Sequence, residues 1–318
     1  AARQLLAAGI DPISDRRKSR GSQTFGDVAD DFFKAKKPGW SNANHIRQWE
    51  RTLTVVCKPI RQKPIDQVNT EDVLSILRPI WLETPEVARR VRVRIEAVLT
   101  YAQSKELRTG ENPARGRGHI FSLLAKQSDK TKHLDALPYA DMPKFWKNLA
   151  NVSGVGAAAV RFAILTAARP GEARQMPWSE LDLQAKVWTV PAERMKEQRE
   201  HRVPLTDAAL VVLESVRPET PDPSGFVFPG QRPGRPLSDM SLTAVLRRLE
   251  VKATVHGFRS TFRDWVAEET DIDGMVAEAA LSHLVGDATE RAYRRGDAFK
   301  KRRDLMERWA AFCTGGAL

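Results

Sequence analysis

Between Val255 and Arg295 the chain gathers side chains suited to phosphate chemistry. His256 and Arg259 stand three apart, His283 follows Leu281 and Ser282, and Tyr293 sits among Arg291, Arg294 and Arg295. Guanidinium groups hold phosphodiester oxygens, imidazoles donate or move protons, and a phenol can attack phosphorus. The combination suggests phosphoryl transfer to a protein hydroxyl. Each residue alone has a duller reading. Arg169 could cap the helix it terminates, Lys196 could be an ordinary hairpin lysine, and a single histidine or tyrosine is more often structural than catalytic.

Metal chemistry is a poorer match. His201, His256 and His283 include no closely spaced pair and no HExxH spacing, as a zinc site would. Asp264, Asp271 and Asp273 do not group with the histidines in the way a magnesium nuclease requires. No cofactor or metal is therefore expected. The 318 residues, 42% hydrophobic and 29% charged, suit a soluble protein of two domains, and a net charge of +11 points to a polyanionic partner, nucleic acid first. No apolar run approaches the roughly 18 residues of a spanning helix, so no membrane partner is expected. No signal peptide is found. Cys57 and Cys313 are too isolated for a disulfide framework or thiolate site. A reducing cytoplasm is the expected location.

The periodicity sets the elements that must position these groups. Residues 1–22 give a short helix over Ala2–Ala8 and a basic linker. Helices follow from Phe25 to Pro38, over Asn42–Val56, from Thr70 as cap, and from Thr84 with Pro85. The last carries an apolar stripe of Val87, Val91, Ile95, Val98 and Ala102, and a basic load of Arg89, Arg90, Arg92 and Arg94, which reads as a solvated face or as phosphate contacts. A glycine-rich basic stretch, 108–133, marks a boundary. Helices over Pro138–Ala150 and Gly156–Ala168 come next, the second stopping at Arg169-Pro170-Gly171-Glu172. Strands over Ala185–Pro191 and His201–Leu205 form a hairpin with Lys196 near its tip, and Phe226–Phe228 adds a short strand. Ser238 caps a helix, and the remainder is helical with breaks at Gly274 and Gly286. The class is mainly α with a small antiparallel β-sheet, α+β. The divisions are 1–22 as a linker, 23–125 as a helical domain and 134–318 as a second domain.

Taken together, LTAARPGEARQMPW, RMKEQREHRVPL, HGFRSTFRDW, LSH and ERAYRR resemble the motifs of the tyrosine recombinase, or phage integrase, family, in family order over about half the chain. Their wording is most similar to integrases of prophages and genomic islands. The resemblance implies a core-site DNA-binding domain followed by a catalytic domain, and six catalytic residues: Arg169, Lys196, His256, Arg259, His283 and the nucleophile Tyr293. Arg169 and Arg259 would clamp the scissile phosphate, Tyr293 would form a 3′-phosphotyrosine, and Lys196 would protonate the departing 5′-oxygen. His283 would hydrogen-bond the phosphate, His256 would assist at the tyrosine, and Glu172 would orient the arginines, unless it serves only as charge at a helix N-terminus.

The implied activity is site-specific integration or excision of a mobile element on double-stranded DNA, without cofactor. The implied partners are further copies in a tetramer, joined through the helix at 299–313 with its face of Leu305, Trp309 and Phe312, along with directionality and DNA-bending factors. That face also reads as packing on the same subunit. A type IB topoisomerase and a catalytically silent DNA-binding protein are the alternatives. Family members normally begin with an arm-binding domain, of which only residues 1–22 would be a remnant.

Overall fold

A computed structural model of the chain describes residues 23–127, 135–283 and 296–316. The expected helix over Ala2–Ala8 and the expected break at Gly286 lie outside them. The chain divides into two compact units, Ala1–Thr131 and Lys132–Leu318, and each has its own hydrophobic core.

The first unit contains α1 (Phe25–Lys36), α2 (Ala43–Arg51), α3 (Thr70–Trp81) and α4 (Pro85–Ser104). Reciprocal caps begin two of these. The Thr24 hydroxyl accepts the Asp27 N–H while the Asp27 carboxylate accepts that of Thr24. Asn69, not Thr70, caps α3: its Oδ1 accepts the Asp72 N–H at 3.1 Å, and Asp72 returns the bond at 2.8 Å. Val91, Ile95, Val98 and Ala102 of α4 are buried, but Val87 is exposed.

The helix expected over Asn42–Val56 changes pitch. After α2 the chain widens into a π-helix over Thr52–Val56, and Arg94 of α4 is held beside it. Its Nη1 donates to the Gln48 carbonyl at 2.9 Å and to the Thr52 hydroxyl at 2.7 Å, and its guanidinium lies 5.3 Å from the Trp49 ring centre.

The second unit contains α5 (Met142–Ala150), α6 (Val155–Thr166), α7 (Pro170–Arg174), β1 (Leu181–Asp182), β2 (Val187–Val190), β3 (His201–Pro204) and α8 (Asp207–Glu214). It continues with α9 (Asp239–Arg248), α10 (Phe258–Glu269), α11 (Gly274–Ala280) and α12 (Phe299–Thr314). The three strands form an antiparallel sheet in chain order, with Trp188 opposite Val203. The class is thus the expected one, mainly helical with a small antiparallel sheet. β1 is too short to show a period in sequence. Phe226–Phe228 is not a strand but a single bridge from Phe226 to Pro177; its apolar pattern reflects burial of Val227 and Phe228 in the core.

The face of α12 corrects the expectation that it docks on a neighbouring subunit. Leu305 and Trp309 are fully buried in the unit's own core. The Trp309 Nε1 donates to the Ile164 carbonyl at 2.8 Å, and its ring lies 5.1 Å from Trp265 and 5.4 Å from Phe262. The helix satisfies its apolar stripe within its own chain. Trp309→Ala is accordingly expected to destabilise the second unit by about 3–5 kcal/mol, seen as a lower urea midpoint for that unit; a change under about 1 kcal/mol would contradict this packing.

Candidate active site

The site is built where α11 ends. Glu278 is the last residue but two of that helix, and the chain after it closes as a Schellman turn. The His283 N–H donates to the Glu278 carbonyl at 2.9 Å, the Ser282 N–H to that of Ala279 at 3.1 Å, and Ser282 is left-handed with φ 53°. This cap turns three consecutive carbonyls outward, and three basic side chains from different elements take them. His201 of β3 bonds the Ala280 carbonyl. Arg259 donates to that of Leu281 at 2.6 Å, and Arg169 donates to that of Ser282 at 3.3 Å.

Arg259, near the start of α10, is buried, with 6% of its surface exposed. Its Nη1 donates to the Ala167 carbonyl at 2.5 Å and its Nη2 meets His283 Nε2 at 3.1 Å. Ala167 is itself the left-handed residue that ends α6, with φ 48°. The guanidinium therefore lies between two helix C-termini, where the partial negative charge of the peptide dipoles favours a cation. Burial lowers its pKa to about 10, helped by the charge of Arg169 and opposed by Glu172 and Glu278; it stays protonated at neutral pH.

Arg169 is the N-cap of α7, with Pro170 in the first turn. Glu172 engages Arg169 through both its carboxylate oxygens. One oxygen accepts the Arg169 backbone N–H at 3.1 Å, and the other accepts its guanidinium at 2.8 Å. His256 is exposed in the turn before α10, and its carbonyl accepts the Arg259 N–H at 3.1 Å. Partial burial lowers its pKa, followed by the charges of Arg259 and Arg169, so the ring favours its neutral form. Gly257 beside it admits no side chain: a Cβ there would lie 2.3 Å from the Asp135 carbonyl.

One expected residue among those described is not joined to this cluster. Lys196 is exposed in the turn between β2 and β3 and makes no hydrogen bond or ion pair among the described residues. Tyr293, with Arg291, Arg294 and Arg295, lies outside the described residues. The base of the Lys196 turn is nonetheless anchored by Arg194, which no motif singles out. It donates to the Glu172 carbonyl at 2.6 Å and pairs with Glu180. A cleft of about 860 Å³ opens beside His283, lined among others by His201, Arg202, Asp297 and Lys300.

The four arginines of α4 divide. Arg94 is buried in the first unit's core, which removes it from the basic face read in the sequence. Arg92 faces Phe121, the Ala114 carbonyl and Glu96. Arg89 bonds Gln127, and Arg90 pairs with Glu86 at the surface.

The cap makes a stability prediction. Ser282→Gly is expected to hold stability or raise it by up to about 1 kcal/mol, and Ser282→Val to lower it by about 1–2 kcal/mol, since a β-branched residue resists positive φ; equal denaturation midpoints would contradict the strain. A second concerns His201, whose pKa burial lowers from 6.5 to about 3, with Arg302 adding to it. The unfolded chain binds this proton first, so its contribution to stability is present above pH 6.5 and is lost as pH falls toward 3. His201→Asn should flatten that part of the stability profile relative to the unaltered protein; superimposable profiles would refute it.

Comparison with known proteins agrees with this architecture. Residues 25–119 match the phage integrase central domain and residues 137–298 match the phage integrase family. Prophage integrase IntZ of Escherichia coli K12 is 31% identical over 97% of this chain and 77% of its own length. Prophage integrase IntA of the same organism is 30% identical over 96% and 75%. Among solved structures, a lambda integrase tetramer bound to a Holliday junction superposes with a TM-score of 0.66 at 16% identity, covering 87% of this chain and 82% of that one. The Tn1549 transposon integrase in complex with circular intermediate DNA gives 0.62 at 16% identity, covering 90% and 100%. The chain thus belongs to the phage integrase family, the tyrosine-type site-specific DNA recombinases.

Proposed function

We propose that this recombinase cuts and rejoins double-stranded DNA at the attachment sites of a prophage or genomic island, with Tyr293 as nucleophile. The observation that carries the mechanism is the pair of arginines bonded to adjacent carbonyls of one helix cap, with two histidines beside them. Of the five N–H donors of a guanidinium, Arg259 commits three to Ala167, Leu281 and His283, and Arg169 commits two to Glu172 and Ser282. The remaining donors of both suit the non-bridging oxygens of a scissile phosphate, whose charge grows in the pentacoordinate transition state.

In this reading the Tyr293 phenolate oxygen bonds to phosphorus as the bond to the 5′-oxygen breaks, and Lys196 supplies the proton that the departing oxygen needs. His256, favouring its neutral form, assists proton movement at the tyrosine, and His283, its ring nitrogens turned to Glu278 and Arg259, supports the clamp rather than bonding the phosphate itself. The 3′-phosphotyrosine retains the phosphodiester's energy, so a 5′-hydroxyl from a second duplex can reverse the step. The first unit binds the core site, with Arg89 and Arg90 as the α4 arginines nearest to that purpose. Four copies act together, as in the lambda integrase tetramer on a Holliday junction, through a surface other than the buried face of α12.

The test uses nicked duplexes carrying the attachment site. The unaltered protein is expected to give a denaturant-resistant protein–DNA adduct and Tyr293→Phe none; an adduct that survives the substitution would overturn the assignment. Arg169→Ala and Arg259→Ala should each lower cleavage by about 10²–10³-fold while DNA affinity changes little, and equal losses in both would refute the division between clamp and binding. Efficient relaxation of plasmids lacking the site would favour topoisomerase action instead.

A further inference from the structure

We propose that Glu278 is a positioning residue that holds His283 in one tautomer and, through it, fixes the orientation of Arg259. The proposal rests on the recombinase reading for its effect on catalysis, but its geometry stands alone. His283 has both ring nitrogens engaged. Nδ1 lies 2.6 Å from Oε2 of Glu278, and Nε2 lies 3.1 Å from Nη2 of Arg259. A guanidinium nitrogen can only donate, so Nε2 must be the bare, accepting nitrogen. The ring proton then sits on Nδ1, where the Glu278 carboxylate accepts it. Both ends of the imidazole demand the same tautomer.

Glu278 is held in turn. Its other oxygen accepts Nε of Arg263 at 2.7 Å, from α10. Burial pushes the Glu278 carboxyl up, but the hydrogen bonds and charges of Arg263 and His283 outweigh it and leave the pKa lowered, so the group is an acceptor at neutral pH. The result is a chain from Arg263 through Glu278 and His283 to Arg259, crossing from α10 to α11 and back to α10. Backbone and side chain cooperate in it, because the Glu278 carbonyl also accepts the His283 N–H. One residue thus fixes where the histidine starts and which of its nitrogens faces the arginine. With a neutral partner or none at Nδ1, the Nε2–H tautomer would turn an N–H toward the Arg259 N–H, and that clamp arginine would lose one of its three bonds.

The bland alternative is that Glu278 merely ties α11 to α10 through Arg263. Glu278→Gln, Glu278→Ala and Arg263→Met separate the two. The ring nitrogen signals of ¹⁵N-histidine-labelled protein report the tautomer, with His283 identified among the six histidines by its absence in His283→Gln. The unaltered protein and Arg263→Met are expected to show Nδ1–H with Nε2 bare, and the two Glu278 variants to shift toward Nε2–H. On nicked attachment-site duplexes, the Glu278 variants should cleave on the order of 10- to 100-fold more slowly, the loss typical when an orienting partner of a functional histidine is removed, with DNA affinity and urea midpoint near those of the unaltered protein. An unchanged tautomer in both Glu278 variants overturns the proposal, as does Arg263→Met reproducing their slow cleavage. Absence of any adduct from the unaltered protein would sink the recombinase reading, while the tautomer signals would still decide the Glu278 assignment.

Discussion

The second unit depends on keeping one charge, the guanidinium of Arg259, inside protein. Removing a cation from water without partners costs several kcal/mol or more. Here the cost is offset by geometry available from ordinary helices: α6 and α11 both end at this group, and each turns a carbonyl toward it through a left-handed residue, Ala167 or Ser282. Glycine would take either conformation with less strain, yet neither position is glycine. Some strain is therefore held at the two turns that aim the carbonyls, which is where strain gathers around functional groups.

The same cap explains why residues far apart in sequence converge. His201, Arg259 and Arg169 come from β3, α10 and the start of α7, and they meet because Ala280, Leu281 and Ser282 offer three carbonyls in a row. The cap acts as a template whose spacing is that of the peptide chain itself. Two like charges brought together oppose folding, and Glu172 and Glu278 reduce that opposition.

Much of this was legible in the sequence, for a definite reason. Arg169, His256, Arg259 and His283 carry chemistry in their side chains, and a motif records side-chain type and order. The cap was not legible, because what it contributes is backbone carbonyls and a positive φ at a serine, and neither leaves a mark where glycine is absent. No motif marks Glu278; its reach to His283 follows from the Schellman turn bringing residue 283 back over residue 278. Arg94 failed in the opposite direction. Its spacing along α4 gave it to a basic face, but Trp49 and the Gln48 carbonyl compete better for it than water does. The helix after Asp297 is read from its resemblance as docking outward, since periodicity gives a stripe but not what covers it.

A second buried arginine ties the hairpin to the last helix. Arg302 of α12 is 1% exposed and donates to the Arg202 carbonyl of β3 at 2.6 Å, to the Asp297 carbonyl at 2.7 Å and to its carboxylate at 2.8 Å. Arg202 grips the same carboxylate from the strand, and both guanidiniums lie over the Phe299 ring. Asp297 is thereby fixed to the strand that follows the Lys196 turn, while His283 is fixed to the cap of α11. These are the two described ends of the stretch carrying Tyr293. Because β3 also reaches the cap through His201, one strand touches both anchor points. The clamp and the strand that follows the Lys196 turn thus share a frame built mainly from arginine side chains bonded to backbone carbonyls. Guanidinium suits that purpose, since its planar fork of donors satisfies several acceptors at once while keeping its charge.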